Sequence, residues 1–227
     1  MSSRSGELLD QGLDFSPPSS TAHDRQAGPR RAVGHARTRP RQQLGASRRG
    51  LPSRTTRSAS RHALVTLAEQ PANEIVVDAR GNIYINGADF DFVGGGAPRP
   101  GYIKLVPPDG QLRQVAGDIQ LPNGMVITPD NRTLIISESL ARRLTAFDIG
   151  PEGGLSGRRV FADGLGPDGI TMDAEGAVWT GTTDYVVVRV AEGGEVLQRV
   201  ELAENRAPLA LMLGGPDRRT LFICTVE

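Results

Sequence analysis

A strand–turn–strand phrase occurs four times after residue 70, and this repetition limits the fold more than any other feature of the 227 residues. The copies read "NEIVVDARGNIYING" (73–87), "NGMVITPDNRTLIIS" (123–137), "DGITMDAEGAVWTG" (168–181) and "ALMLGGPDRRTLFIC" (210–224). Their centres, "DARG", "PDNR", "DAEG" and "PDRR", hold the Asp, Asn, Gly and Pro that tight turns require. Their flanks are β-branched or aliphatic, as strands prefer. With Asp78, Pro129, Asp173 and Pro216 taken as equivalent, the spacings are 51, 44 and 43 residues. Further hairpins are predicted between the copies, over 101–116, 142–162 and 185–202. A unit is therefore about four strands, which is the size of a β-propeller blade. Helical periodicity is absent throughout. A β-sandwich would also be all-β, but it gives no reason for one unit to resemble the next.

In a propeller the first strand of each blade lines the central channel, so one repeated position becomes part of a ring. Asn73, Asn123 and Asp168 each stand two residues before the apolar part of that strand, before Ile75, Met125 and Ile170. The same count gives Ala210 in the fourth unit. Two amides and a carboxylate meeting at one spot suit a hard divalent cation, Ca²⁺ or Mg²⁺, with water completing the shell. Asn and Asp beside Gly and Pro are also ordinary turn formers, and on that reading they bind nothing. All three histidines, His23, His35 and His62, precede the repeats. Cys224 reads as a small core residue within a strand. A Ser-His-Asp triad, a Cys-His nucleophile and a His/Cys zinc site therefore cannot be assembled in the repeated part. Glu138 and Asp184 each follow a blade's second strand, where they would either approach the channel or sit in surface loops.

The net charge of zero conceals two different segments. Residues 1–62 carry 12 Arg against 4 acidic residues, a net +8, and residues 63–227 carry the compensating −8. The first segment is Arg-, Pro- and Ser-rich and too poor in apolar residues to offset its ordering entropy. It reads as a disordered region or, with a single Lys in the whole chain, as GC-rich sequence translated out of frame. An Arg-rich arm could grip nucleic acid phosphates. It lacks aromatic interleaving or a recognition helix, and nucleic acid is not the expected partner. No apolar run reaches membrane-spanning length, so a membrane partner is not expected. One cysteine and no signal-peptide pattern suggest a reducing, cytoplasmic setting.

The phrases "ANEIVVDARGNIYING", "LPNGMVITPDNRTLIISES…RRLTAFDI", "LSGRRVFADGLGPDGITMDAEGAVW" and "GGEVLQRVEL" resemble the gluconolactonase/regucalcin/senescence-marker-protein family. They occur in order over about residues 64–227. The resemblance implies a six-bladed β-propeller, incomplete here with about four recognisable blades, and a divalent-metal-dependent hydrolase of sugar lactones or related esters. It implies Asn123 and Asp168 as metal ligands, Asp168 as the catalytic base or water-orienting group, and Asn73 as a substrate-binding residue. The cation would be Ca²⁺ first, with Mg²⁺, Mn²⁺ or Zn²⁺ as substitutes. "NGADFDFVGGGAPRPG" (86–101) would be the loop that covers the site. Two departures accompany the match. The family's N-terminal metal-ligating Glu has no counterpart, since Glu7 lies too early, which would leave this chain inactive. Pro71 stands where some relatives carry a substrate-binding Arg. A non-catalytic propeller that binds a ligand or partner is the alternative reading, and unpaired blade edges would favour pairing with another chain.

Overall fold

The structure is a computed structural model that describes residues 71–88, 90, 96–203 and 205–227. The reading of residues 1–62, and residues 89 and 91–95 of the loop proposed as a cover (86–101), lie outside the described residues. Among the described residues, fourteen strands form four antiparallel sheets in chain order. The first contains β1 (Ile75–Val77), β2 (Ile83–Gly87), β3 (Gly101–Val106) and β4 (Arg113–Ile119). The second contains β5 (Pro122–Ile127), β6 (Thr133–Glu138), β7 (Arg143–Ile149) and β8 (Leu155–Ala162). The third contains β9 (Ile170–Met172), β10 (Val178–Gly181), β11 (Val186–Val190) and β12 (Val196–Glu201). The fourth pairs β13 (Ala207–Gly214) with β14 (Thr220–Val226). Each four-stranded sheet is a simple meander, and the first strands of successive sheets adjoin one another. This is the blade arrangement of a β-propeller.

The repeat is kept at atomic detail. In the first turn the Asp78 carboxylate accepts the amides of Arg80 (2.8 Å) and Asn82 (2.9 Å). In the third, Asp173 accepts those of Glu175 (2.9 Å) and Ala177 (3.1 Å). Asp130 and Asp217 accept the amides two residues onward, those of Arg132 and Arg219, at 3.1 Å each. Each of these turns also contains one left-handed residue. That place is taken by Gly81, Asn131, Gly176 and Arg218 in turn.

The core lies between the sheets. β6 alternates at period two, with Leu134 and Ile136 packed toward the first sheet and Ile135 toward the third. Burial on both faces is why "TLIIS" is continuously apolar rather than alternating. Tyr84, Ile103, Leu105, Met125 and Phe147 fill the space between sheets one and two. Phe161, Ile170, Val178 and Val188 serve the next interface, and Trp179, Val187, Leu211 and Leu221 the last. At about 25 cal/mol per Å² of apolar surface removed from water, this sheet-to-sheet burial is the main stabilising force.

Two expectations need correction. Cys224 is exposed. Its sheet has two strands, and the face that also carries Phe222 and Val226 has no described neighbour sheet, so these side chains meet solvent. Glu138 is neither a channel residue nor a loop residue. Its side chain is fully buried and accepts hydrogen bonds from the Gln120 amide (2.8 Å), Thr145 Oγ1, Arg143 and Arg158. Asp184, the other acid considered, is exposed.

Candidate functional site

The site is built where the first strands begin. Two close approaches bring those strands together. The Gly124 amide donates to the Asp168 carbonyl at 3.2 Å, and the Gly169 amide donates to the Leu209 carbonyl at 3.0 Å. A Cβ on Gly124 would meet the Ile170 nitrogen at 2.5 Å, and one on Gly169 the Leu209 oxygen at 2.6 Å. The glycine after Asn123 and after Asp168 thus exists because neighbouring backbones leave no room for a side chain. In the first unit the corresponding residue is Glu74. Its carboxylate reaches across to accept the Met125 amide, so here the link to the next blade runs through a side-chain acceptor rather than a backbone donor.

The chain enters β5 through a tight corner. Leu121 adopts φ 55°, a costly conformation for a bulky residue. The corner is fixed by the Ser139 amide on the Leu121 carbonyl (3.1 Å) and by Glu138 on the Gln120 amide. Buried Glu138 therefore supports the site from behind. Burial alone would raise its pKa. Hydrogen bonds from Thr145, Gln120 and Arg158 outweigh that and hold the carboxyl below the usual range.

Asn73, Asn123 and Asp168 all line one cavity of about 600 Å³. Asn73 donates to the Pro122 carbonyl at 2.9 Å. The Asn123 carbonyl accepts the Asn86 amide at 2.6 Å, and its side-chain amide lies 3.4 Å from Ser139 Oγ. Ser139 in turn donates to the Pro167 carbonyl at 2.7 Å. Asn123 also donates to the Asp168 carboxylate, which ties the two residues together. Ala210, the fourth position counted from sequence, does not line the cavity, whereas Leu209 does. A bulge between Pro208 and Ala210 shifts the register of β13 by one residue.

Burial raises the pKa of Asp168, and the hydrogen bond from Asn123 only partly counters it. Glu74 is raised as well, first by burial and then by the negative charge of Asp168, with the Met125 amide opposing. Two carboxylates therefore share one electronegative pole, and sequence reasoning had passed over Glu74. The available signal was the break in the repeat, where a charged residue stands in the place of a glycine. Neither Lys nor Arg lines the cavity among the described residues. Asn123 and Asp168 offer hard oxygens, the right donors for Ca²⁺ or Mg²⁺, but fewer than the roughly six such ions take. Among the described residues no group of three or more His, Cys, Asp or Glu converges on a single point.

A second cavity of about 560 Å³ lies at the opposite end of β5 and β9. Its charged residues are already engaged with protein partners. Arg159 pairs with Asp148 and Glu192, Arg189 pairs with Asp173 and Glu175, and Asp130 accepts from Thr128. That balance leaves the Asn123–Asp168 end as the candidate site. Among the described residues no helix is long and apolar enough to cross a membrane.

The chain is 31% identical over 129 residues to the 6-deoxy-6-sulfogluconolactonase of Pseudomonas putida, covering 54% of this chain and 44% of the relative. It spans about half the length of the curated relatives it matches. Among solved structures, the gluconolactonase XC5397 of Xanthomonas campestris superposes with a TM-score of 0.57 at 26% identity, over 70% of this chain and 56% of that one. The calcium-binding protein regucalcin of Agrobacterium tumefaciens superposes with a TM-score of 0.57 at 25% identity, over 67% and 52%. The family profile described as the SMP-30/gluconolactonase/LRE-like region matches residues 18–227, and the chain belongs to that family.

Proposed function

We propose that this chain carries the substrate face of a divalent-cation-dependent lactonase. The observation that carries the reading is the meeting of Asn123 and Asp168, from two adjacent blades, at the polar end of a cavity sized for a small molecule. Lactonases among the relatives, and a calcium-binding protein among the structural neighbours, support it. Asn123 Oδ1 and the Asp168 carboxylate would hold the cation, with water filling further positions. When bound, the cation supplies positive charge for the carbonyl oxygen of the lactone. Asp168, with its raised pKa, accepts a proton from the water whose oxygen attacks the acyl carbon. The acyl carbon–ring oxygen bond then breaks, and the departing oxygen takes a proton back from Asp168. Water is consumed and one hydroxy acid is formed. Asn73, on the cavity wall, orients the substrate.

The test is acid release from a panel of lactones, followed by pH-stat. Turnover should stop with EDTA, return with added Ca²⁺ or Mg²⁺, and fall at least about 100-fold in Asp168→Ala, the scale set by general acid–base catalysis. Absence of hydrolysis of every lactone at saturating Ca²⁺, Mg²⁺, Mn²⁺ and Zn²⁺ would leave only a ligand-binding propeller. A protein that hydrolyses lactones equally well after EDTA would remove the cation from the reading.

A further inference from the structure

The cavity is unevenly polar. Apolar residues, Phe90, Leu121, Pro122, Pro208 and Leu209 among them, make up most of its lining beside Asn73, Asn123 and Asp168. Several hydrogen-bond donors on the remaining wall are already engaged with the protein. Thr182 Oγ1 donates to the Val186 carbonyl at 3.1 Å, Ser139 Oγ to Pro167 and Asn73 to Pro122. A polyhydroxylated ligand loses a water hydrogen bond at each hydroxyl it brings in, and a wall with committed donors returns few of them. An anionic substituent fares worse, because Asp168 is the only charged residue lining the cavity among those described. Leu209, by contrast, stands on this wall with 45% of its surface exposed, so an apolar occupant would remove it from water.

We infer that the site selects lactones carrying an uncharged alkyl substituent over polyhydroxylated or anionic sugar lactones. The Asn123–Asp168 pair takes the ester group and the apolar lining, which includes Phe90 and Leu209, takes the alkyl chain. This rests on the lactonase reading and narrows its substrate class. It also gives Pro71 a place, since as a lining residue it adds apolar surface and no charge.

The experiment has two arms, both using the full chain. Calorimetric binding with Ca²⁺ present compares δ-decalactone with glucono-δ-lactone, and initial hydrolysis rates are measured for the same pair. The alkyl lactone should bind at least about tenfold more tightly, the scale on which a few methylenes discriminate in an apolar pocket. Leu209→Ser and Phe90→Ser should each erase most of that preference. Equal or tighter binding of glucono-δ-lactone overturns the inference, as does a preference that survives both substitutions. Failure of both ligands to bind overturns it too. Selective binding without hydrolysis of either ligand would keep the inference and sink the lactonase reading, so the two failures are distinguishable.

Discussion

Gly124→Ala probes the link between blade packing and the site. The added Cβ would stand 2.5 Å from the Ile170 nitrogen and 2.9 Å from both the Asp168 oxygen and the Gly169 carbonyl carbon. All three are backbone atoms, so no side chain can swing aside. Ordinary contact begins near 3.4 Å, and β5 and β9 would have to part by about 1 Å, an overpacking strain of roughly 1–3 kcal/mol. Stretching the Gly124–Asp168 hydrogen bond adds up to about 1 kcal/mol. The lower entropy of an unfolded alanine returns roughly 0.4–1 kcal/mol. The net expectation is a loss of about 1–3 kcal/mol, or roughly 2–4 °C of melting temperature for each kcal/mol. Lactone turnover should fall further than stability, because a shift of about 1 Å at a reacting group can cost up to about 100-fold in rate. Differential scanning fluorimetry and pH-stat kinetics read the two effects separately. Gly154→Ala is the control, since nothing lies within 4 Å of its added Cβ, and it should be neutral or slightly stabilising. If Gly124→Ala melts with the wild type and keeps full turnover, the glycine is not there for close approach and the packing argument fails.

Two further outcomes follow from the same geometry. Glu138→Gln should cost about 3 kcal/mol, at the low end for breaking a buried ion pair because Arg143 and Arg158 remain about one-third exposed. The folded carboxyl titrates below its usual range. Its stabilisation is therefore complete above that range and is lost as pH falls through the folded value, so the variant's melting temperature should decline less steeply in acid. A variant with the wild type's acid profile would refute the hub. Cys224, exposed on β14, should react with a maleimide in native buffer at a rate close to that in urea, and protection in native buffer would mean that something covers this face.

The sequence carried the fold further than it carried the site. Repeated turns marked the four repeated hairpins because each Asx turn is a local structure that needs only its own few residues. Asn123 and Asp168 were legible because repetition converts a sequence position into a place on the axis. Leu209 was missed by one residue because a bulge is a property of strand pairing, not of composition. Glu74 was hidden because its partner, the Met125 amide, lies about fifty residues onward in the next blade. Glu138 looked like a strand-end acid, and only its non-local arginine from β8 shows why it is buried. Cys224 was read as core because its strand looks like the others, whereas burial depends on a neighbouring sheet.

The account turns on Asn123 and Asp168 as joint ligands, and a crystal of the protein soaked in Mn²⁺ tests this directly through anomalous scattering. The prediction is one strong peak bridging Asn123 Oδ1 and an Asp168 carboxylate oxygen at about 2.0–2.6 Å from each, the range for hard divalent cations. That peak should be absent in Asp168→Ala. Asn123 and Asp168 still hydrogen-bonded to each other, with manganese elsewhere or nowhere, would contradict the account.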